Sequence, residues 1–200
     1  MSQSRSWTAI VLAGGRSARM GADKLAIDIA GGSSLARVLH DLGDSVPVIV
    51  VGPSIDVSDA TTPPVVVRED PPFTGPAAAI GAALPHVHTP VVVVLAGDMP
   101  FAAPVAKVAV AHLSTLADAC IPVDSAGRRQ YLCAAYRTDA LRAAAADAGS
   151  LADLSVRRLV EGLSIVEIPT SDDAVVDLDE PADVERARWL ADGIADTGSS

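Results

Sequence analysis

The chain of 200 residues contains little cysteine, histidine, aromatic side chain or positive charge. Its 15 lysines and arginines face 25 aspartates and glutamates, which gives a formal net charge of −10 and a pI near 4.6. A molecule of this charge repels polyanions, so we expect neither nucleic acid nor an anionic membrane surface among its partners. A small anion is not excluded, because a local group of cations can still bind it.

Long hydrophobic runs are also absent. The apolar run at 91–96 is far too short to span a bilayer and predicts a central strand. Residues 1–7 are polar and lack the apolar stretch of a signal peptide. Cys120 and Cys133 lie in apolar surroundings, which favours reduced core residues over a disulfide. We therefore expect a cytoplasmic protein with no membrane contact.

Alanine and valine supply most of the hydrophobic half of the composition, and valine runs alternate with alanine-rich stretches. That alternation predicts an α/β fold with a three-layer, Rossmann-like, mostly parallel sheet and right-handed crossovers. Strands are predicted at residues 8–13, 46–51, 65–67, 90–96, 119–123, 131–136, 164–168 and 175–178. Helices are predicted at residues 34–42, 77–84, 103–116, 139–148, 151–163 and 180–190, with Ser150 as the cap of the helix at 151–163.

Ligands of such sheets bind beyond the carboxyl ends of the strands. Four predicted loops follow strands directly, at residues 14–24, from 52 onward, at 70–75 and at 97–100. We expect these four loops to form one ligand-binding site.

The first of these loops combines glycines with cations. Residues 12–24 read Leu-Ala-Gly-Gly-Arg-Ser-Ala-Arg-Met-Gly-Ala-Asp-Lys, which matches neither G-x-x-x-x-G-K-[ST] nor G-x-G-x-x-G. Gly14 and Gly15 permit close backbone approach and offer N–H groups to phosphate oxygens. Arg19 and Lys24 can neutralise a triphosphate. A turn with solvated cations is the alternative, but the position after a strand and two glycines favours phosphate binding.

Asp98 follows the valine strand in the segment Gly97-Asp98-Met99-Pro100. A carboxylate at a strand end beside a phosphate pocket suits Mg²⁺, which often takes only one or two protein carboxylates. The alternative role for Asp98 is a turn or helix cap ahead of Pro100.

The opening segment L-A-G-G-x-S-x-R-M-G-x-D-K resembles the first motif of the molybdenum cofactor guanylyltransferases (the MobA type), nucleotidyltransferases with a nucleotide-diphosphosugar-transferase-like fold. The resemblance extends over about residues 8–190. The segment 98–100 is similar to the family's D-x-P metal element, and residues 68–70 with 75–80 are similar to its E-D…G-P-L-A-G-I segment. The resemblance implies transfer of GMP from GTP to the phosphate of molybdenum-molybdopterin, with release of pyrophosphate and Mg²⁺ as cofactor.

The resemblance also assigns roles to residues. Arg19 and Lys24 would be catalytic, and Asp98 would hold the metal. The expected nucleotide-binding residues are Leu12, Ala13, Gly14, Gly15, Lys24, Asp70 and Asp98. Asp70 would contact the base or ribose, or else simply end the strand before it in a turn.

One domain is expected over residues 1–200, with a nucleotide-binding half at about 8–120, an acceptor-binding part at about 121–190 and a flexible tail at 193–200. Arg128 and Arg129 could hold the acceptor's phosphate or form a solvated turn. The implied partners are GTP, the molybdopterin cofactor, and molybdoenzyme apoproteins or their chaperones. The four histidines show no triad or zinc spacing. No general base is required, because a phosphomonoester with a second pKa of about 6 is already ionised at neutral pH.

The sequence departs from the family near its end. Asp177-Leu178-Asp179-Glu180-Pro181 stands where the guanylyltransferases tend toward N-V-N-T-P, and its aspartates are more similar to the cytidylyltransferases of the same cofactor (the MocA type). Asp177 could complete the metal shell, and Asp179 could cap the last helix. Three alternatives stay open: a CTP-dependent cytidylyltransferase, a sugar- or polyol-phosphate nucleotidyltransferase, and a non-catalytic nucleotide-binding domain.

Overall fold

The computed structural model describes residues 6–14, 24–53 and 62–197. Within these residues, one seven-stranded sheet is built from β1 (Trp7–Leu12), β2 (Val48–Val51), β3 (Val65–Val67), β4 (Val91–Ala96), β5 (Ala119–Val123), β6 (Cys133–Arg137) and β7 (Ile165–Pro169). The helices are α1 (Ser34–Leu42), α2 (Pro76–Ala83), α3 (Ala102–His112), α4 (Thr138–Asp147), α5 (Val156–Leu159) and α6 (Pro181–Thr197). Short 3₁₀ turns occupy Lys24–Ala26, Leu84–His86 and Asp173–Val175.

The strand order is β3-β2-β1-β4-β6-β5-β7, and β6 alone among these strands runs antiparallel to its neighbours. The chain passes from β1 to β2 and β3 on one side, then returns to place β4 on the other side of β1. The order therefore reverses at β1, and this reversal is where open α/β sheets form their ligand crevice. The predicted three-layer, mostly parallel fold is confirmed.

The central strands are apolar throughout because both faces of the sheet are covered. Ala9 and Val11 of β1 pack in the core beneath α1 and α3, whereas Ile10 and Leu12 pack beneath α2. A strand buried on both faces needs continuous rather than alternating hydrophobicity. The valine run of β4 is buried at every position for the same reason.

Three expectations from the sequence, on the cysteines, on membrane-spanning helices and on the last helix, can be compared with the structure directly. The two cysteines are buried and unpaired, as expected, and burial raises the pKa of the Cys120 thiol to about 11 and that of Cys133 to about 12. Among the described residues, no helix has the length and apolarity needed to cross a bilayer. The last helix continues to Thr197, beyond the predicted end near 190.

The helix predicted over 151–163 is wrong in extent. Only Val156–Leu159 is helical, and its cap is Ser155, whose Oγ accepts a hydrogen bond from the Arg158 amide, rather than Ser150. The preceding segment is held by tertiary contacts instead. The Asp153 amide donates to the carbonyl of Thr74 at 2.7 Å, and Asp153 takes a left-handed conformation with φ 57° that a helix excludes.

The strand predicted over 175–178 is also wrong. Val175 ends a 3₁₀ turn, and the Leu178 amide donates to the carbonyl of Asp98 at 3.2 Å rather than to a sheet strand. Val176 and Leu178 are apolar because they pack with Phe101 and α6 in a third core cluster. Short apolar runs of this kind do not distinguish a strand from a packed loop.

The loops after β1, β2 and β4 lie side by side at the carboxyl edge. The Gly97 amide donates to the Leu12 carbonyl at 2.9 Å, and the Ala13 amide donates to the Val51 carbonyl at 2.7 Å. A side chain at Gly52 would place its Cβ 2.6 Å from the Ala13 carbonyl oxygen, closer than van der Waals contact permits. Glycine is therefore required where these two backbones meet.

Replacing Gly52 with alanine is expected to lower the free energy of unfolding by about 1–3 kcal/mol, because rigid backbone must move to admit the methyl group. Thermal denaturation measures the change, and about 2–4 °C is expected per kcal/mol. Gly162→Ala is the matched control, since its Cβ would meet nothing within 4 Å. Equal melting temperatures for the two variants would contradict the close approach at Gly52.

Candidate nucleotide-binding site

An ion pair links two distant parts of the chain at the carboxyl edge. Lys24 opens the 3₁₀ turn Lys24–Ala26, and its Nζ pairs with Oδ1 of Asp179, 155 residues further along. The Lys24 side chain is 15% exposed and that of Asp179 is 47% exposed. The next residue, Leu25, lies against Gly97, where an added Cβ would come within 2.9 Å of its Cδ2. The start of the turn is thereby fixed beside the end of β4.

Asp98 lies two residues beyond β4 and is partly buried. Burial raises the pKa of its carboxyl, the positive charge of Lys24 opposes that rise, and the negative charge of Asp179 adds to it. These electrostatic effects place Lys24, Asp98 and Asp179 in one group. The N-cap position of α3 is occupied by Phe101, so the structure does not support the alternative in which Asp98 caps that helix.

Asp177 and Asp179 flank the buried Leu178, whose amide ties the segment to Asp98. The pKa of Asp177 is raised by partial desolvation of its carboxyl, then by the charges of Asp179 and Asp98. Asp179 is engaged by Lys24. At the start of α6 the Glu180 amide donates to Oδ2 of Asp183 at 2.8 Å. Asp183, rather than Asp179, therefore provides the side-chain bond at this helix terminus.

We name Lys24, Asp98, Asp177 and Asp179 the edge cluster. It contains three carboxyl groups and one ammonium, which is paired with Asp179, so an excess of negative charge remains when the carboxyl groups are ionised. Across residues 6–14, 24–53 and 62–197, no group of three or more His, Cys, Asp or Glu side chains has an arrangement that could hold a metal ion. Two carboxylates are nevertheless sufficient for Mg²⁺ when phosphate and water complete its shell.

The predicted nucleotide-binding backbone lies next to the edge cluster. Leu12 and Ala13 are buried, and their backbone groups bond to Gly97 and Val51 in the extension of the sheet. Gly14 approaches Gly52, with 3.6 Å between its hypothetical Cβ and the Gly52 Cα. Gly15 and Arg19 lie outside the described residues, so their roles stay predictions.

Asp70 is exposed on the loop that follows the edge strand β3. This places it at the carboxyl edge with the other loops, but none of the bonds described for the edge cluster involves it. Its neighbour Glu69 is buried and accepts a hydrogen bond from the Phe73 amide at 2.9 Å. This structural role of Glu69 was not identified from the sequence, because no local sequence pattern marks a buried acidic residue in an irregular loop.

Arg128 and Arg129, predicted as acceptor contacts, are both engaged within the protein. Arg128 donates through Nε to Oδ2 of Asp124 at 2.8 Å, and Arg129 donates through Nε to Oε1 of Glu167 at 2.6 Å. Hydrogen bonds from the Arg128 amide and then its side chain hold the pKa of Asp124 below its ordinary value. The Arg128 side chain is still 77% exposed, so much of it faces solvent although its Nε is bonded to Asp124.

Comparison with known proteins gives consistent matches. Residues 9–166 match the family described as the MobA-like NTP transferase domain. A probable molybdenum cofactor guanylyltransferase from Natronomonas pharaonis is 31% identical over 198 residues, covering 90% of this chain and 96% of the relative.

Two solved structures share the fold. Molybdopterin-guanine dinucleotide biosynthesis protein A from Archaeoglobus fulgidus has a TM-score of 0.69 at 22% identity, covering 93% of this chain and 99% of that one. Rv0371c from Mycobacterium tuberculosis, in a complex with manganese, has a TM-score of 0.66 at 20% identity, covering 92% and 98% respectively.

Replacing Asp98 with asparagine is expected to stabilise the protein at neutral pH when no divalent cation is present. The pKa of Asp98 is raised in the folded state, so its ionised form costs stability once the pH exceeds the ordinary carboxyl pKa of about 4. The advantage of Asp98→Asn should therefore grow as pH rises from about 4 toward the raised pKa of the folded state and stay constant above it. A gain of about 1 kcal/mol would raise the melting temperature by roughly 2–4 °C.

Melting temperatures measured in EDTA from pH 4 to 8 test this expectation. Asp192→Asn, on the exposed side of α6, removes the same charge away from the edge cluster and should change little. A lower melting temperature for Asp98→Asn at pH 7 would mean that the Asp98 carboxylate stabilises the fold.

Proposed function

This chain belongs to the MobA-like NTP transferase family, and from that premise we propose that it transfers GMP from GTP to the phosphate of molybdenum-molybdopterin and releases pyrophosphate. Its class is nucleotidyltransferase. The observation that carries the proposal is the meeting of Lys24 and Asp98 at the carboxyl edge of the sheet, beside the glycine backbone of Gly14. A cation, a carboxylate and a closely approachable backbone are the groups that a chelated triphosphate requires.

The reaction needs positioning and charge neutralisation more than proton transfer. The acceptor phosphate is already ionised at neutral pH and attacks the α-phosphorus, while the bond to pyrophosphate breaks. Lys24, together with Arg19, would neutralise the charge that develops on the α-phosphate and the leaving pyrophosphate. The amides of Gly14 and Gly15 would bind phosphate oxygens, and Asp70 would contact the nucleoside.

Asp98 would hold Mg²⁺, with Asp177 as the second carboxylate. The donor set fits this ion because both groups offer hard oxygen ligands and neither carboxylate forms an ion pair with Lys24, which is engaged by Asp179. Desolvation, and to a smaller extent the negative charge of Asp179, raises the pKa of both carboxyl groups, and a bound cation would compensate the charge of their ionised forms. Bound Mg²⁺ would supply neutralisation of the triphosphate charge.

A CTP-dependent cytidylyltransferase is the second candidate. The observation that favours it is the pair of aspartates at 177 and 179, where asparagines are expected in a guanylyltransferase. The opening Leu-Ala-Gly-Gly segment favours GTP. Asp177 and Asp179 lie in the edge cluster and not on the loop of Asp70, the residue proposed to contact the nucleoside. We therefore base the choice of GTP on the Leu-Ala-Gly-Gly segment.

Pyrophosphate release with each of the four nucleoside triphosphates, Mg²⁺ and molybdenum-molybdopterin tests the proposal. We expect turnover with GTP and at least tenfold less with the others. Turnover with CTP instead would establish the second candidate. Turnover only with a sugar phosphate as acceptor, or GTP binding without pyrophosphate release under any condition, would refute the molybdenum cofactor assignment.

Replacing Lys24 with alanine is expected to lower kcat by about 10²–10³, the usual effect of removing one group that stabilises transition-state charge. The dissociation constant of GTP should change by less than about tenfold, because the metal and the backbone still hold the ground state. Lys107→Ala is the control, since its Nζ bonds to the Asp41 carbonyl on an exposed helix surface. Unchanged kcat in Lys24→Ala would remove Lys24 from the mechanism.

A further inference from the structure

The ammonium of Lys24 has a carboxylate partner, Asp179. We propose that Asp179 is a positioning residue that holds Lys24 until a cation-bound triphosphate arrives, and that this contact makes the site reject the free triphosphate. The inference rests on the proposed function, because it assigns a selectivity to the same nucleotide site.

The position of Asp179 is set by backbone contacts on both sides. Leu178 is fully buried, and its amide bonds to the Asp98 carbonyl at 3.2 Å. On the other side, Asp183 accepts from the Glu180 amide at 2.8 Å and fixes the first turn of α6. Neither bond uses the Asp179 side chain. Its carboxylate can therefore give up Lys24 by side-chain rotation while the backbone stays in place.

Lys24 is held in a comparable way. Its turn is fixed by the carbonyl of Lys24, which accepts the Ile27 amide at 3.3 Å, and by Leu25 against Gly97. The side chain is mostly buried, with 15% exposed. The ammonium can therefore pass from Asp179 to a phosphate oxygen by rotation of its own flexible stem.

The charge balance explains the selectivity. While Asp179 is paired with Lys24, the edge cluster contains more carboxyl groups than cations, and its excess negative charge repels an incoming triphosphate strongly at close range in a partly buried site. A triphosphate that brings a divalent cation reverses this balance, because the cation is attracted to the same carboxylates. The chelated triphosphate adds two fewer negative charges than the free one, so Lys24 can exchange Asp179 for phosphate at a smaller electrostatic cost.

Removing the charge of Asp179 should therefore weaken the requirement for a cation at the binding step. Asp179→Asn keeps the size of the side chain but frees Lys24 and deletes one negative charge. Asp179→Ala does the same without a hydrogen-bonding group, so it provides a second variant if the first folds poorly. Asp179→Glu retains the charge and should retain the selectivity.

The experiment measures dissociation constants for GTP, and for CTP in parallel, by titration calorimetry in Mg²⁺ and in EDTA. The readout is the ratio of the EDTA value to the Mg²⁺ value. We expect Asp179→Asn and Asp179→Ala to lower this ratio at least tenfold, mainly through tighter binding in EDTA. Asp179→Glu and the remote control Asp192→Asn should keep the wild-type ratio.

An unchanged or larger ratio in both neutral variants would overturn the inference while leaving the proposed function intact. A ratio lowered equally by Asp192→Asn would also overturn it, because the effect would then come from net charge rather than from the contact with Lys24. Wild-type protein that binds neither nucleotide in either condition would refute the proposed function and this inference with it.

Discussion

The pairing of β1 with β2 on one side and β4 on the other is the constraint on which the site depends. β1 lies where the strand order reverses, the position at which open α/β sheets generally bind their ligands. Bonds from Gly97 to Leu12 and from Ala13 to Val51 continue the ladder beyond the strands. The Gly52 backbone consequently lies too close to Ala13 for a side chain, so the backbones after β1 and β2 meet directly at this edge of the sheet.

The edge cluster costs stability. Desolvation of the Asp98 and Asp177 carboxyl groups, together with the negative charge of Asp179 nearby, raises their pKa values and makes their ionised forms unfavourable in the folded protein. Such strain persists at functional sites because the surrounding structure determines the geometry. Here that structure is the third core cluster, in which Leu178 and Phe101 pack with α6. The apolar contacts of α6 thus hold acidic side chains together that would otherwise separate.

Much of the fold could be predicted because its signals are local. Continuous valine runs identify strands buried on both faces, and Ser33 at the start of α1 is a typical cap, with its Oγ accepting the Ala36 amide at 3.1 Å. The predictions for segments 151–163 and 175–178 are wrong because both segments are held by distant parts of the chain: the Asp153 amide bonds to Thr74, and Val176 and Leu178 pack with α6. The pairing of Lys24 with Asp179 could not be predicted either, since 155 residues separate them and no local pattern marks an ion pair. The position of Asp98 at the carboxyl edge could be expected because a strand directly precedes it.

An acidic protein that binds an acidic substrate requires an explanation at the level of the site. The net charge of −10 acts over distances at which salt screens it, beyond about 8–10 Å at physiological ionic strength. At closer range the partly buried edge cluster dominates, and it too is negative. Overall and local charge therefore disfavour the same species, the unchelated triphosphate. Under the proposed function, the glycine amides and Lys24 bind phosphate in such a field when a cation arrives with it. The acidity of the chain is thus compatible with nucleotide binding and, on that proposal, makes binding depend on the metal.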